Sequence, residues 1–335
     1  MRDARLPWPD PLVPALAPHA DREAADKSSW SAYQLLRGYF FLRGVPENAF
    51  ISIDVTNECN MRCTHCYFFE QDHPKELSDD QLLARLEEMK RNRSVRFWSC
   101  TWVGGEPLLR RSLIERARHH FRWNTIVTNG TIPLPSWERT NIYVSIDGPR
   151  EIHERIRGKG CYDKIKKNVA ESGVPVTLSM AISAFNEHTI EDLVEEWRRV
   201  PNVEKWTFDF FTPIRGLKLD AEQWMGFEKR DAIIDRLIRL RRKYPDLFAV
   251  TEEAMVLMKS DRCRSVTDHC LFREKSTAFS PMMEKKAQCM MGEKADCDRC
   301  GCVVPFYLHS LSHKPTVIRD VVHNLGRRLG LVEER

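Results

Sequence analysis

The sequence predicts an α/β fold: a parallel sheet curled into a partial (βα)6 TIM-like barrel, followed by a C-terminal cysteine-rich domain. Three observations carry this expectation. Short β-branched or aromatic runs alternate with charged helical stretches from residue 50 to residue 212, the rhythm of parallel strands joined by crossover helices. That rhythm stops near residue 215. Eleven cysteines are unevenly placed, with three between Cys59 and Cys66 and six between Cys263 and Cys302.

Three regions follow: an N-terminal extension (1–49), a barrel (50–215) and a helical, cysteine-rich C-terminal domain (216–335). Residues 1–29 are rich in Pro, Ala and Asp and read as a poorly ordered lead-in. Residues 30–43, WSAYQLLRGYFFLR, place apolar positions 32, 35, 36 and 39 on one helical face. The expected strands are FISIDV (50–55), FWSCTWV (97–103), TIVTNG (125–130), IYVSIDG (142–148), VTLSMAI (176–182) and WTFDFFT (206–212). Helical stretches lie at 78–92, 161–172 and 190–200, whereas the connection 131–140 holds two prolines and is too short for a helix. A basic helix at 221–244, its Arg/Lys run read as a solvated face, leads into the cysteine-rich tail.

Composition narrows the function. Hydrophobic residues make up 42% and charged residues 30% of 335 residues, so a folded chain is expected. No run of eighteen apolar residues occurs, and the N-terminus lacks the apolar stretch of a signal peptide, so a cytoplasmic location is expected. A net charge of +4 is mild, and no nucleic-acid partner is expected. In a reducing compartment the cysteines should be thiols, metal ligands or catalysts rather than disulfides.

Cys59-x3-Cys63-x2-Cys66 follows the first strand, where α/β barrels place their chemistry. Three thiolates can hold three irons of a 4Fe–4S cube and leave the fourth iron open. His65 would be the fourth donor in a zinc reading, but it sits between two cysteines of a tight loop.

CNMRCTHCY resembles the signature of radical S-adenosylmethionine (SAM) enzymes. Further landmarks occur in order at successive strand ends: Gly104-Gly105-Glu106-Pro107, Thr128-Asn129-Gly130 and Ser145-Ile146-Asp147-Gly148-Pro149. The resemblance spans about residues 50–215 and implies a cube with one open iron, chelated by SAM. It implies that Cys59, Cys63 and Cys66 hold the cube. Gly104, Gly105 and Glu106 would meet the SAM ammonium, Asn129 belongs to the second landmark, and Ser145 and Asp147 would bond the ribose. Tyr67 matches an aromatic position beside adenine, and Arg157, in HERIRGKG, is a candidate for the SAM carboxylate. The physical needs agree, since a zwitterionic sulfonium requires acceptors for its ammonium and polar groups for its hydroxyls.

The second set, Cys263-x6-Cys270 and Cys289-x7-Cys297-x2-Cys300-x-Cys302, is too dense for random core cysteines. Relatives often carry an auxiliary 4Fe–4S cluster there, in SPASM or twitch domains. The spacing departs from the SPASM pattern, and zinc is the alternative metal. Cys100 and Cys161 stand alone and read as buried hydrophobes.

The expected activity is cleavage of SAM, with electrons from a reductant such as flavodoxin or ferredoxin, to a 5′-deoxyadenosyl radical that takes hydrogen from an unidentified substrate. A peptide maturase would often bring a leader-binding module of roughly eighty residues, more than precedes the barrel. That favours a small molecule, sugar, nucleotide or lipid over a peptide as substrate. A non-enzymatic iron–sulfur or zinc scaffold is the rival class, and GGEP and SIDG argue against it. The stretch 30–43 and the tail VIRDVVHNLGRRLG are candidates for weak membrane-surface contact.

Overall fold

The computed structural model describes residues 50–312 apart from 72–74, 93, 95–96 and 216–219. The expectations for the helix at 30–43 and for the C-terminal tail lie outside the described residues. The strands are β1 (Phe50–Asp54), β2 (Ser99–Val103), β3 (Trp123–Thr128), β4 (Thr140–Ser145), β5 (Val176–Ile182), β6 (Val203–Phe210) and β7 (Ser276–Phe279). They form one open sheet in the order β6-β5-β4-β3-β2-β1-β7, with every neighbouring pair parallel.

Six of these strands were legible, and β7 was not. Its sequence, STAF, is short and lacks an apolar run. Pairing along β1, from Phe50↔Ser276 to Ile53↔Phe279, makes it a strand, so tertiary context overrides a weak local preference.

The crossover helices are α1 (Asp79–Arg91), α2 (Arg111–Ala117), α3 (Arg150–Arg157), α4 (Tyr162–Ala170), α5 (Ile190–Trp197) and α6 (Phe227–Lys243). Helix α1 starts at a capping box: Ser78 Oγ accepts from the Gln81 N–H, and Gln81 Oε1 accepts from the Ser78 N–H. No helix intervenes between β3 and β4, as the two prolines require. The single helix expected at 221–244 is divided: a short helix, Asp220–Gln223, ends first, and Gly226, with a φ of 79°, caps the start of α6. The basic run on α6 is not merely solvated, because Arg236 pairs with Glu187 and Glu191, and Lys243 with Glu195.

Period-two alternation orients the sheet. On β5, Val176, Leu178, Met180 and Ile182 are buried in the main core, while Thr177, Ser179 and Ala181 are half-buried on the other face. The register sets Ser145, Ser179 and Thr207 in one row of that inner face. The sheet thus presents a polar inner surface, and the loops at its strand ends converge on the cysteines.

Candidate active site

Cys59, Cys63 and Cys66 lie on the loop immediately after β1, all three partly exposed. The loop is pinned from several sides. The Thr64 N–H donates to Ile156 O at 2.9 Å, and Gln223 Nε2 donates to Thr64 O at 3.1 Å. Asn60 Nδ2 donates to Thr131 Oγ1 at 2.8 Å, tying the loop to the segment after β3. The Gly105 and Glu106 N–H groups donate to Thr56 O and Glu58 O at 2.9 and 2.8 Å. A Cβ on Gly105 would fall 1.9 Å from Glu58 O, so the glycine is required for this contact. The GGEP segment is therefore in the first place a backing for the cysteine loop.

Two side-chain donors approach the sulfurs. Asn129 Nδ2 lies 4.0 Å from Cys59 Sγ, and Arg157 Nη1 lies 3.9 Å from Cys63 Sγ. Burial pushes the Cys63 thiol up to about 11 against the pull of Arg157, and burial also raises Cys59. Such thiols ionise when a metal takes the proton's place.

The other expected contacts fall at the same end of the sheet. Glu106 is buried, with Oε1 accepting from Thr128 Oγ1 at 2.7 Å and the Leu108 N–H at 3.0 Å, and Oε2 accepting from the Asn129 N–H at 2.8 Å. One carboxylate thus holds the GGEP and TNG segments together. Asp147 is fully buried, ion-pairs with Arg157, and accepts from the Ala181 N–H at 3.0 Å. His65 Nε2 lies 3.5 Å from Asp147, so this histidine faces a carboxylate. Burial lowers His65 to about 4, leaving it neutral near pH 7. Ser145 is half-buried on the inner face. Burial is the main reason the Tyr67 phenol resists ionising, and Asp54, Cys66, Cys289 and Cys302 add to it electrostatically.

His153 adds a pH-sensitive prop. Its Nδ1 accepts from the Asp147 N–H at 3.0 Å, and burial drives its pKa down from 6.5 to about 3. The folded value lies below the unfolded one, so the unfolded chain takes the proton first. Stability is therefore lost as pH falls from 6.5 toward 3, by roughly 1.4 kcal/mol per pH unit. His153→Gln keeps an acceptor that does not titrate, and urea unfolding between pH 7 and 4 is expected to show a flatter slope for it. An unchanged slope would place the acid sensitivity elsewhere.

Among the C-terminal cysteines, electrostatic coupling links Cys270 to Cys289, Cys297 and Cys300, Cys289 to Cys297, Cys300 and Cys302, and Cys300 to Cys302. Cys263 differs, being buried at the start of a short helix with Arg230 and Asp231 as its charged neighbours. Gly301 locks the run onto β6: its N–H donates to Thr212 Oγ1, its carbonyl accepts from the Phe210 N–H, and a Cβ would sit 1.9 Å from Phe210 O. Among the described residues, no three His, Cys, Asp or Glu side chains converge at metal-holding distances. The fit to a metal group rests on the donor set, clustered thiols with N–H donors and a guanidinium turned toward them. Cys100 is fully buried in β2, and Cys161 is buried with its thiol donating to Gly158 O at 2.9 Å.

Three polar groups escaped the sequence analysis: the Asp54–Lys286 ion pair, Asp209 beside Cys302, and Arg230. The first two carboxylates had a legible signal. In FISID and WTFDF a carboxylate occupies an alternate position, which puts it on the inner face.

This arrangement, a cysteine loop after β1 ringed by the ends of β2, β3 and β4 in an open parallel sheet, is the layout of a radical SAM barrel. Residues 53–196 match the radical SAM superfamily. The superfamily is one of enzymes that use a 4Fe–4S cluster and SAM. The chain is similar to Fe-coproporphyrin III synthase of Methanosarcina barkeri, 30% identical over 214 residues, 57% of this chain and 52% of the relative. It is also similar to the serine-type anaerobic sulfatase-maturating enzyme of Bacteroides thetaiotaomicron, 30% identical over 156 residues, 38% of each. The chain thus spans about half or less of these relatives' length. The crystal structure of Streptococcus suis SuiB bound to precursor peptide SuiA shares the fold with a TM-score of 0.55 at 11% identity, over 86% of this chain and 70% of that one. Among the described residues, no helix is long and apolar enough to cross a membrane.

Proposed function

We propose that this chain holds a 4Fe–4S cube on Cys59, Cys63 and Cys66, binds SAM beside it, and initiates radical chemistry on an unactivated C–H bond. The carrying observation is the convergence of Asn129 and Arg157 on the sulfurs of Cys59 and Cys63, within a loop backed by GGEP and tied to TNG. Cys59, Cys63 and Cys66 would hold the cube, which would supply one electron for reductive cleavage of SAM. An external reductant such as flavodoxin or ferredoxin is the proposed source of that electron.

The chain's own residues bind and orient. Glu106 offers lone pairs to the SAM ammonium while its present bonds fix its direction. Ser145 offers a hydroxyl to the ribose. Asp147 was expected at the ribose as well, but its burial against Arg157 favours a different role, holding that guanidinium toward Cys63 and the SAM carboxylate. Glu106→Gln keeps the shape and removes the charge. SAM affinity is expected to fall ten- to a hundredfold, about 1.5–3 kcal/mol, with the iron content unchanged. Equal dissociation constants by calorimetry would remove Glu106 from the SAM site.

The similar relatives include a porphyrin synthase and a sulfatase-maturating enzyme, so small molecules and polypeptides are both supported as substrates. Reduced enzyme incubated with deuterated cell extract, split by ultrafiltration into small and macromolecular fractions, decides between them. The fraction that transfers label into 5′-deoxyadenosine contains the substrate, and transfer from neither would remove hydrogen abstraction from cellular substrates.

A further inference from the structure

Arg230, on α6, is fully buried and has no carboxylate partner among the described residues. Its Nη1 donates to Cys300 O at 2.8 Å, while Nε and Nη2 are buried and make no hydrogen bond to the described residues. Three phenyl rings surround the cation, Phe210, Phe227 and Phe306, at 5.1, 5.9 and 6.0 Å from Cζ. Neighbouring Asp231 faces away from this role, since it binds the Ser260 N–H and hydroxyl. The titratable groups that act on Arg230 are the thiols of Cys263 and Cys300, and Asp231.

A guanidinium buried without an anion is among the least favourable arrangements a core can hold. Ring faces relieve part of this, and one carbonyl takes one of its five N–H donors. Two N–H-bearing nitrogens remain, on a side chain that is bonded to the Cys300 carbonyl and coupled electrostatically to the Cys263 and Cys300 thiols. Four thiolates around a zinc ion, or around an oxidised 4Fe–4S cube, leave a net negative charge on the group. The orphaned donors and the excess anion complement each other. A thiol set without metal, resisting ionisation through burial, provides no such anion.

We propose that Arg230 is the buried counter-cation of an anionic metal–thiolate group assembled on the C-terminal cysteines, a positioning residue that stabilises that group through its free N–H donors and its charge. The proposal rests on the reading that these cysteines hold metal, which the test examines separately. It treats Arg230 as permanently charged, so no protonation step is involved.

The parent is the full-length chain with Cys59, Cys63 and Cys66 replaced by Ala, reconstituted anaerobically with iron and sulfide and analysed for iron and zinc. Arg230→Met and Arg230→Lys are compared with it by the rate of metal loss to EDTA and by the melting temperature of the metal-free chain. Arg230→Met is expected to lose metal at least tenfold faster, with the metal-free melting temperature unchanged or raised because an unpaired buried charge has gone. Arg230→Lys keeps the charge and is expected to lie closer to the parent. If the metal is a redox-active cube, Arg230→Met also lowers its reduction potential, and a tenfold change in a one-electron equilibrium corresponds to about 59 mV. Metal loss no faster in Arg230→Met overturns the proposal. So does a lowered metal-free melting temperature, which marks a purely structural residue, and so does a lysine variant no better than methionine. A parent without stoichiometric metal overturns instead the reading on which the proposal stands, and the proposal with it.

Discussion

Replacing Cys59, Cys63 or Cys66 by Ala is expected to bring SAM cleavage down to the background seen without protein. Each thiol is one of only three on the loop after β1, and neither Asn129 nor Arg157, the side-chain donors nearest the sulfurs, can ligate iron in its place. His65, a further donor within the loop, is turned toward Asp147. Each variant should also bind less iron than the parent while remaining folded, because the backbone bonds that hold the loop, from Thr64 to Ile156 and from Gly105 to Thr56, do not use the thiols. The check is product analysis by liquid chromatography alongside iron content and circular dichroism. Turnover at the parent rate in any one variant would remove the loop from the chemistry.

The second large effect is on stability. Arg157→Met leaves the Asp147 carboxylate fully buried beside a neutral histidine, and breaking a buried pair in this way costs roughly 3–5 kcal/mol. At about 2–4 °C per kcal/mol for a chain of this class, the loss is easily measured by thermal melting. Burial by itself would raise Asp147, yet Arg157, then His65 and His153, hold it down to about 2, below the 3.8 of the unfolded chain. This contribution is therefore complete above pH 3.8 and disappears as pH falls through 2. The double variant Arg157→Met with Asp147→Asn should recover part of the stability, because no charge is left buried. A single variant as stable as the parent would show that solvent reaches the carboxylate.

Six strands and the helices α1, α4 and α5 were legible because period-two and helical patterns coincide with burial, as in VTLSMAI and in the capping box before α1. The site was legible where its chemistry needs particular residues at fixed spacing, the cysteine loop and the glycines behind it. What escaped depends on contacts across long sequence separations. Strand β7 exists through its pairing with β1, and the break at Gly226 reads in sequence as a tolerated helical glycine. Lys286 reaches Asp54 from more than two hundred residues away, and Arg230 looks like any other arginine on a basic helix until the rings around it are seen. The pairing of Asp147 with Arg157 escaped on the same ground, since two polar residues ten apart give no sign in sequence that they bind each other.

The most direct measurement is the fate of SAM itself. Anaerobically reconstituted full-length protein, reduced with dithionite and given SAM, is expected to release 5′-deoxyadenosine and methionine in equal amounts, above the level of a protein-free control containing the same iron, sulfide and dithionite. Production of neither compound by protein that carries a full complement of iron on Cys59, Cys63 and Cys66 would contradict radical SAM chemistry for this chain.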